Sequence, residues 1–547
     1  MRRTQLGEPP PRSAREAPRP GGVSWFKVVV GLCLATGLLS LAWQSRSRRV
    51  LRRAANFKAL KRCDPATYPL WQIHELRELD LSDCGHVELP DDAAVWSRFA
   101  SLRQMNLNGN ALRSLPNEMR VLSSLEVLFL SENQFDSVPQ VIGELPKLRV
   151  LSFRGNSFVE FFSTHLPAHS LVWLILTNNN INHLHENIGE LKLLRKLMLS
   201  HNQIDNVPAE LGECKDLELL RLADNNIRTV PSEILALPKL AWISLSGNPM
   251  SKPPRGSAKI IPWNEVNVRG KVLGKGASGI VYQGKYDNKN VAVKMFKEQS
   301  QGSDGNAADE AAINGLIDHP LAVSALGVLP SEGGEEGAYQ GMVMELISDT
   351  HPLGLVPDFD TVARDAGPAP RAERLTPEQV RGVVWNVASV LDYVHSSLGL
   401  SHGDVYLHNT LSSKDVVARL SDWGASFVYA RDDKDGEGTA ASAYERLEVL
   451  AFGRLVQDLL AWHLDVVAPD ATALDPEGDP AQNPAPRGQD MEDGPFRDLM
   501  TAVLRRDPAR RPTFREIKET LASMSEFEQF LVQDQYRAIL KPNSQGK

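Results

Sequence analysis

The chain has 547 residues, of which 42% are hydrophobic and 23% are charged, and its formal net charge is −8. That length leaves room for two to four domains with cores of their own, and the composition is that of a globular protein. The charge is uneven, because residues 1–62 carry +12 and residues 63–547 carry −20. A basic segment on an acidic body indicates an anionic membrane surface or a targeting segment, and argues against nucleic-acid binding.

The N-terminal segment combines a polar stretch with a long apolar run. Residues 1–22 are rich in Pro, Arg and Gly and are predicted to be disordered. Residues 23–43 hold one charge, Lys27, and we predict a transmembrane or signal-anchor helix there. A basic linker, residues 44–69, follows, and its positive charge places a membrane-anchored body in the cytoplasm. A cleaved signal or organelle-targeting peptide and a soluble chain are the alternatives.

The spacing of the four cysteines indicates whether the protein's compartment is reducing or oxidising. They are scattered and lack the spacing of metal ligands, which is typical of a protein in a reducing compartment. Cys63 and Cys84 could nevertheless pair across an N-terminal cap. The full set is Cys33, Cys63, Cys84 and Cys214.

Residues 70–255 repeat the template L-x-x-L-x-L-x-x-N every 23 residues. A first, degenerate copy has Cys84 in the Asn place, which gives about eight copies. The pattern resembles the leucine-rich repeats of the 23-residue intracellular kind. Such repeats form an α/β solenoid, in which leucines pack between neighbours and each Asn bonds open backbone groups at the turn. The regular copies place this residue at Asn110, Asn133, Asn156, Asn179, Asn202, Asn225 and Asn248.

The central repeats carry apolar residues at positions expected to face the concave surface. The outer repeats offer polar residues there instead, among them Arg221. An apolar cluster on a recognition surface predicts a site for a protein partner, with a face that is packed over or merely tolerated as the alternative. We call these residues the concave patch: Val127, Phe129, Val150, Trp173, Ile175 and Met198.

After the proline-rich stretch 249–262, a second set of motifs begins with a glycine fingerprint. Residues 274–281 fit G-x-G-x-x-G-x-V, which alone could also belong to a dinucleotide-binding fold. A VAVK sequence then places Lys294 on the next strand-like run, and Glu310 lies on a helix-forming stretch sixteen residues later. An irregular insert, about residues 348–377, is expected to loop out.

The catalytic residue types follow in a short loop. Residues 401–409 read SHGDVYLHN, which fits H-x-D-x-x-x-x-N, and Asp422 opens an Asp-Trp-Gly sequence thirteen residues after Asn409. Arg511 lies in a late Arg- and Pro-rich sequence. Residues 465–495 are acidic and rich in Pro and Ala, so a disordered insert is predicted there, and residues 528–547 form a C-terminal tail.

In this order and at these separations the motifs resemble the eukaryotic-type protein kinases over residues 262–527. The expected fold is therefore multidomain, with a leucine-rich-repeat solenoid followed by a two-lobed α+β kinase fold and preceded by a hydrophobic helix.

The resemblance implies ATP and Mg²⁺ as cofactors and a protein as substrate. It implies catalytic roles for Lys294, Glu310, His402, Asp404 and Asn409, and metal binding by Asn409 and Asp422. It implies ATP binding by Leu273, Gly274, Lys275, Gly276, Ala277, Ser278, Gly279, Val281, Ala292, Lys294, Glu345 and Leu346. It also implies that Arg511 clamps the end of the activation segment.

The chain departs from this family around the acceptor. Gly403 stands where kinases have an Arg that grips an activation-loop phosphate. Tyr406 stands where serine/threonine kinases have a Lys on the transferring phosphate, and His408 is the remaining candidate cation in the loop. The sequence around Tyr444 is a poor match to A-P-E, so the substrate platform is expected to be short. We expect an active protein kinase of the serine/threonine class; the alternative is a pseudokinase scaffold that binds nucleotide without efficient transfer.

Overall fold

The structure is a computed structural model. It describes residues 63–65, 76–254, 258–275, 279–297, 305, 307–331, 339–347, 350–370, 374–413, 418–429, 440–464 and 494–530. The helix predicted over 23–43, most of the insert 465–495 and the end of the tail lie outside these residues. Within the described ranges, no helix has the length and apolar character needed to cross a membrane.

The repeats form one continuous parallel sheet. Its strands run in the order β1-β2-β3-β4-β6-β8-β9-β10, and each pairs with its neighbours in unbroken register. A separate pair, β5 with β7, lies outside this sheet. The strand bounds are β1 Glu78–Asp80, β2 Gln104–Asn106, β3 Val127–Phe129, β4 Val150–Ser152, β5 Glu160–Phe161, β6 Trp173–Ile175, β7 His183–Leu184, β8 Lys196–Met198, β9 Leu219–Arg221 and β10 Trp242–Ser244.

Short helical turns return the chain on the opposite side of the array. Two are α-helices, α1 (Ala93–Ser97) and α2 (Ser232–Leu235). Four are 3₁₀ turns, which suits the tight space between successive coils. They span Asn117–Val121, Gln140–Glu144, Glu186–Glu190 and Ala209–Glu213.

The asparagine ladder confirms the expected solenoid. The Asn179 amide Nδ2 donates to Leu176 O at 2.9 Å and to Phe153 O of the preceding coil at 3.0 Å. Its Oδ1 accepts from Asn156 N at 3.1 Å. Because backbone groups at each turn are buried, these bonds satisfy them and join one coil to the next.

The N-terminal end of the array carries a disulfide between Cys63 and Cys84. The pairing that the sequence left open is therefore present in this structure. It does not fit the expectation of a reducing compartment, because disulfides persist mainly in oxidising ones. Cys214 is a free, buried thiol, and its burial raises its pKa to about 11.

The small lobe of the C-terminal domain is an antiparallel sheet in the order β11-β12-β13-β15-β14, with one helix. The sheet holds the glycine hairpin beside the strand that carries Lys294. Its elements are β11 Val266–Lys275, β12 Gly279–Tyr286, β13 Lys289–Phe296, α3 Ala307–Leu316, β14 Ala325–Pro330 and β15 Tyr339–Glu345.

The large lobe is mainly helical, as expected. Helix α4 begins at Pro377 behind a capping box, in which Thr376 Oγ1 accepts from Gln379 N at 3.2 Å and Thr376 N donates to Gln379 Oε1 at 2.9 Å. Its helices are α4 Pro377–Tyr393, α5 Ala440–His463, α6 Pro495–Val503 and α7 Phe514–Ala522. Its short strands are β16 His351–Pro352, β17 Gly354–Leu355, β18 Gly367–Pro368, β19 Leu400–Ser401, β20 Thr410–Ser412, β21 Arg419–Leu420 and β22 Phe427–Val428.

The insert after β15 does not loop out as the sequence suggested. Its described part, residues 350–370, packs back on the large lobe, with Leu353 and Ala363 fully buried. Leu353 N donates to Leu407 O at 3.1 Å and to Thr410 O at 3.0 Å. Apolar residues within a polar, Pro-rich stretch provide enough burial to fix it against the lobe.

The concave face of the repeats packs against the kinase domain. In β1 the outward residues Glu78 and Asp80 are exposed, whereas all three residues of each central strand are buried. The difference arises because the concave patch shares one hydrophobic cluster with helices α4 and α5. Phe359 of the insert enters this cluster, with ring centroids 6.0 Å from Phe129 and 5.8 Å from Trp173.

Candidate active site

Lys294 and Glu310 form a buried ion pair. Lys294 lies in the middle of β13, in register with Val281 on one side and Met342 on the other. Its Nζ contacts the carboxylate of Glu310 on α3, and each side chain is only 3% exposed. A charge that leaves water is tolerated when an opposite charge is bound closely, so the pair fixes α3 against the sheet.

The glycine hairpin lies beside this pair. Gly274 of β11 pairs with Val281 of β12, and the residues between the strands, Gly276, Ala277 and Ser278, fall outside the described ranges. A Cβ at Gly279 would lie 2.3 Å from Met295 O. Glycine at 279 therefore lets β12 approach β13 this closely.

The predicted adenine-side residues lie where the two lobes join. Ala292 is buried and in register with Met344, next to the end of β15. The Glu345 carboxylate accepts from Arg419 Nη1 of the large lobe at 3.0 Å. Leu346 follows directly and is half-buried. The two predicted residues at the end of β11 differ in exposure, Leu273 being half-buried and Lys275 exposed.

The catalytic loop holds Asp404 in a fixed orientation. Asn409 Nδ2 donates to Asp404 Oδ2 at 2.7 Å and to Asp404 O at 2.9 Å. The His402 ring accepts from Asp404 N at 3.2 Å and lies 3.1 Å from Ser421 O. Burial lowers the pKa of His402, so its ring is neutral, with Nδ1 accepting and Nε2 donating.

Glu448 of α5 anchors the backbone of this loop. Its carboxylate accepts from Gly403 N at 2.6 Å, His402 N at 3.1 Å and Ser401 Oγ at 3.0 Å. It also lies 2.7 Å from His395 Nε2. Burial would raise the pKa of Glu448, but His395 and the Gly403 amide outweigh burial and lower it, so the anchor is ionised.

Asp422 borders the same space as the ion pair of the small lobe. Its φ of 64° lies in the left-handed region, which few residues other than glycine adopt. A Cβ on Gly424 would lie 3.4 Å from Asp422 Oδ1 and 3.7 Å from Glu310 Oε2. Trp423 keeps the aromatic packing of the family, and its Nε1 donates to Val323 O at 2.8 Å.

The residues predicted to hold magnesium fit that metal. Ser421 N and Oγ both donate to Asn409 O, at 2.9 and 2.8 Å, which ties the Asp422 segment to Asn409. Mg²⁺ prefers oxygen ligands and is bound in such sites by one or two carboxylates together with substrate phosphates. Among the described residues no group of three or more His, Cys, Asp or Glu could hold a metal. Asp422 and the Asn409 side-chain oxygen would thus form the protein's part of a site that the nucleotide completes.

His408 is buried, and its ring is bound by a carboxylate of the insert. Its Nδ1 lies 2.5 Å from Asp365 Oδ1, while Asp365 Oδ2 accepts from Leu407 N at 2.8 Å. Burial would lower the pKa of His408, but Asp365, with smaller contributions from Asp404 and Asp422, raises it above its usual value.

Tyr406 brings no cation to the loop and is held away from Asp404. Its hydroxyl donates to Ala363 O at 2.9 Å. Its ring stacks flat on Trp242 of the last repeat, with centroids 4.6 Å apart and planes 4° from parallel. Trp242 Nε1 donates to Val405 O at 3.1 Å.

A repeat residue, Arg221 of β9, reaches the catalytic loop. Its Nη2 contacts Asp404 Oδ1, and its Nη1 donates to Gly403 O at 2.8 Å. The Arg221 and Asp404 side chains are 4% and 6% exposed. Burial would raise the pKa of Asp404, but Arg221, with His408 and His402, outweighs burial and holds that pKa below its usual range.

Arg511 holds the end of the activation segment through a backbone oxygen and not through the Glu445 carboxylate. Its guanidinium donates to carbonyl oxygens, among them Arg446 O at 3.0 Å and Pro238 O of the repeats at 2.8 Å. Glu445, near the end of the segment, instead accepts from Phe514 N at 2.8 Å. Burial lowers the pKa of Arg511 to about 9.

Three residues of the site were not assigned a role from the sequence. Glu448 stands on the helix after the short activation segment, where the family usually has an Asp, but the sequence alone assigned it no role. Asp365 lies in an insert that carries no motif. Arg221 stood out as a charged residue on the concave face, but nothing in the sequence relates it to Asp404, which is 183 residues away.

Comparison with known proteins agrees with this geometry. The family model for the protein kinase domain matches residues 268–457. The model for the leucine-rich repeat matches residues 100–158 and 192–250. The chain carries a protein kinase domain preceded by leucine-rich repeats.

Curated relatives of this repeat-bearing kinase chain differ in the specificity that their names state. A probable serine/threonine-protein kinase of Dictyostelium discoideum is 29% identical over 33% of the chain and 12% of the relative. The dual specificity protein kinase shkE of the same organism is 26% identical over 48% of the chain and 37% of the relative. The megakaryocyte-associated tyrosine-protein kinase of Rattus norvegicus is 28% identical over 46% of the chain and 52% of the relative. The chain therefore spans between about an eighth and about half of these relatives.

Proposed function

We propose that the chain is an ATP-dependent protein kinase that phosphorylates serine or threonine hydroxyls in proteins. One observation carries the proposal: Asp422 borders the same space as the Lys294–Glu310 pair, while Asn409 holds Asp404 at the catalytic loop. Each member of this set has the residue type that phosphoryl transfer uses.

Each of these residues has a separate task. Asp404 orients the acceptor hydroxyl and takes its proton, while Lys294 and the amides of the glycine loop hold the phosphates. Asn409 and Asp422 would hold Mg²⁺, which would supply positive charge against the phosphate oxygens. The protein's contribution is positioning and electrostatic stabilisation.

The serine/threonine assignment is supported by the overall resemblance and by the name of one relative. The relatives also include a dual-specificity kinase and a tyrosine kinase. The deciding measurement is therefore to hydrolyse the labelled product and identify the phosphorylated residue.

A pseudokinase that binds nucleotide without transferring phosphate is the second candidate. Tyr406 and Gly403 favour it, since the loop has lost cations that assist transfer. Transfer of labelled phosphate to a generic protein by wild type and by Asp404→Ala separates the two. Kinase activity predicts a rate in wild type at least about a hundredfold above that of the variant. Because Arg221 contacts Asp404 in this structure, the comparison is repeated in a chain that carries Arg221→Ala, and equal rates there as well would support the pseudokinase.

We also propose that the chain is membrane-anchored through residues 23–43 and that the repeats recognise a protein partner. The apolar run supports the anchor, and the resemblance of the repeats to recognition solenoids supports the partner. A partner of the concave patch would have to replace the kinase domain, which covers this patch in the structure. Carbonate extraction of membranes, with the full chain compared with a chain starting at Asn56, tests the anchor. If carbonate releases both chains from the membrane, the proposed anchor is wrong.

A further inference from the structure

The catalytic carboxylate is engaged by the repeats. Arg221 contacts one oxygen of Asp404, and Asn409 binds the other. The Asp404 side chain is only 6% exposed, so a protein hydroxyl cannot reach it in this arrangement. The repeats thus cover the acceptor position with a cation of their own.

The backbone of the last repeat lies directly over the catalytic loop. A Cβ at Gly403, whose φ is +73°, would lie 2.8 Å from Ile243 O and 2.6 Å from Ala425 O. An arginine, the family's residue here, would not fit this space. Tyr406 likewise provides a flat ring on which Trp242 stacks. Two departures from the kinase pattern, Gly403 and Tyr406, are therefore among the loop residues that the repeats contact.

The segment after Asp422 is also attached to the repeats. Val428 N donates to Ser251 Oγ, just beyond the last repeat, at 3.1 Å. Phe427, Tyr429 and Tyr444 belong to the hydrophobic cluster that forms the core of the array. Kinases bind their protein substrates along this segment, so the covered surface coincides with the expected substrate platform.

The nucleotide side is assembled in the same structure. The Lys294–Glu310 pair is formed, and Asp422 lies beside it. The repeats do touch α3, since Gly247 N donates to Asp309 Oδ2 at 2.6 Å, but this contact supports the helix that carries Glu310. The contacts of the repeats therefore leave the Lys294–Glu310 pair formed, while Arg221 engages Asp404 on the acceptor side.

We propose that the repeat array is a built-in inhibitor of the kinase domain, which blocks protein substrates by placing Arg221 on Asp404. Activation requires the concave patch to separate from the large lobe. This inference rests on the proposed kinase function. It assigns the concave patch an occupant within the chain, the surface of the large lobe around Phe359.

Two full-length variants test the proposal. Phe359→Asp places a charge against Phe129 and Trp173, at a half-buried site outside the catalytic loop, and Arg221→Ala removes the contact on Asp404 itself. Phe162→Asp is the matched control, because Phe162 is an exposed phenylalanine of the repeats. The readouts are phosphate transfer to casein, affinity for a fluorescent ATP analogue, and the radius of gyration from X-ray scattering.

We expect both variants to raise the transfer rate at least about tenfold at unchanged nucleotide affinity, because each shifts the population away from the closed state. Phe359→Asp should also increase the radius of gyration, and Phe162→Asp should behave as wild type. Rates at or below wild type in both variants would overturn the proposal. A fall in Arg221→Ala alone would do so as well, by showing that Arg221 serves transfer as a cation. If wild type and both variants transfer phosphate no faster than Asp404→Ala, the proposed kinase function is wrong. If wild type and both variants have the same rate, and that rate exceeds the rate of Asp404→Ala, the kinase function stands and the proposed inhibition is wrong.

Discussion

The two sides of the catalytic cleft differ in where their charged residues find partners. On the nucleotide side, Lys294 binds Glu310, and both belong to the small lobe. On the acceptor side, Asp404 binds Arg221 of the repeats. The nucleotide side keeps the residue types of the family, whereas the acceptor side has exchanged its cations for residues that fit another domain. A change of motif can thus reflect a new neighbour rather than lost chemistry.

The largest effect is expected where the nucleotide side is broken. Lys294→Met leaves the Glu310 carboxylate buried without its cation and should cost about 3–5 kcal/mol of unfolding free energy. The double variant Lys294→Met/Glu310→Leu should regain most of this, because an apolar pair of similar volume replaces the ion pair. Urea denaturation measures both, and binding of an ATP analogue should be lost in both. A double variant as unstable as the single one would contradict the pairing.

On the acceptor side, restoring the family residue should harm the protein. Gly403→Arg puts a side chain at φ +73°, against Ala425 O and Ile243 O, and should lower the unfolding free energy by about 3 kcal/mol. Gly403→Ala, which has the same backbone strain but a smaller side chain, is the control and should lose less. Thermal unfolding of the two variants checks this. An arginine variant as stable as wild type would show that the last repeat does not lie over the loop.

A smaller, pH-dependent effect is expected at the insert. The pKa of His408 is raised in the folded protein, so the stability that its charge contributes is fully present below about pH 6.5 and is lost as pH rises through the raised value. Asp365→Asn keeps an oxygen acceptor for Leu407 N but removes the charge, and should cost about 2 kcal/mol at pH 6 and less at pH 9. Unfolding free energies across this range measure it. A loss that is equal at both pH values would exclude the charge pair.

Local sequence signals predicted much of the molecule. The 23-residue period predicted the parallel sheet and the asparagine ladder, because each coil contacts mainly its neighbours. The kinase motifs singled out Lys294, Glu310 and Asp404, and the structure brings Lys294 to Glu310 and Asn409 to Asp404.

The docking of the two domains could not be read in this way. The apolar concave patch indicated a binding surface. Because hydrophobic contacts are non-directional, the patch alone could not show that the chain's own large lobe would cover it. In the sequence, Gly403 and Tyr406 looked like lost kinase residues. The residues that account for them, Ile243 and Trp242, lie in the last repeat, about 160 residues earlier in the chain. The insert was misjudged because a few buried residues, such as Leu353, outweigh its loop-like composition.

The bond between Arg511 and Pro238 O has a consequence for biosynthesis. These residues are 273 positions apart, so the repeats leave the ribosome long before the late helices that complete their docking. At about 5–20 residues per second, the interval is about 14–55 s. During this time the concave patch has no large lobe to cover it, although the solenoid can already fold by local contacts. The nascent chain therefore passes through a stage with an exposed apolar groove, at which protection by a chaperone would decide its yield.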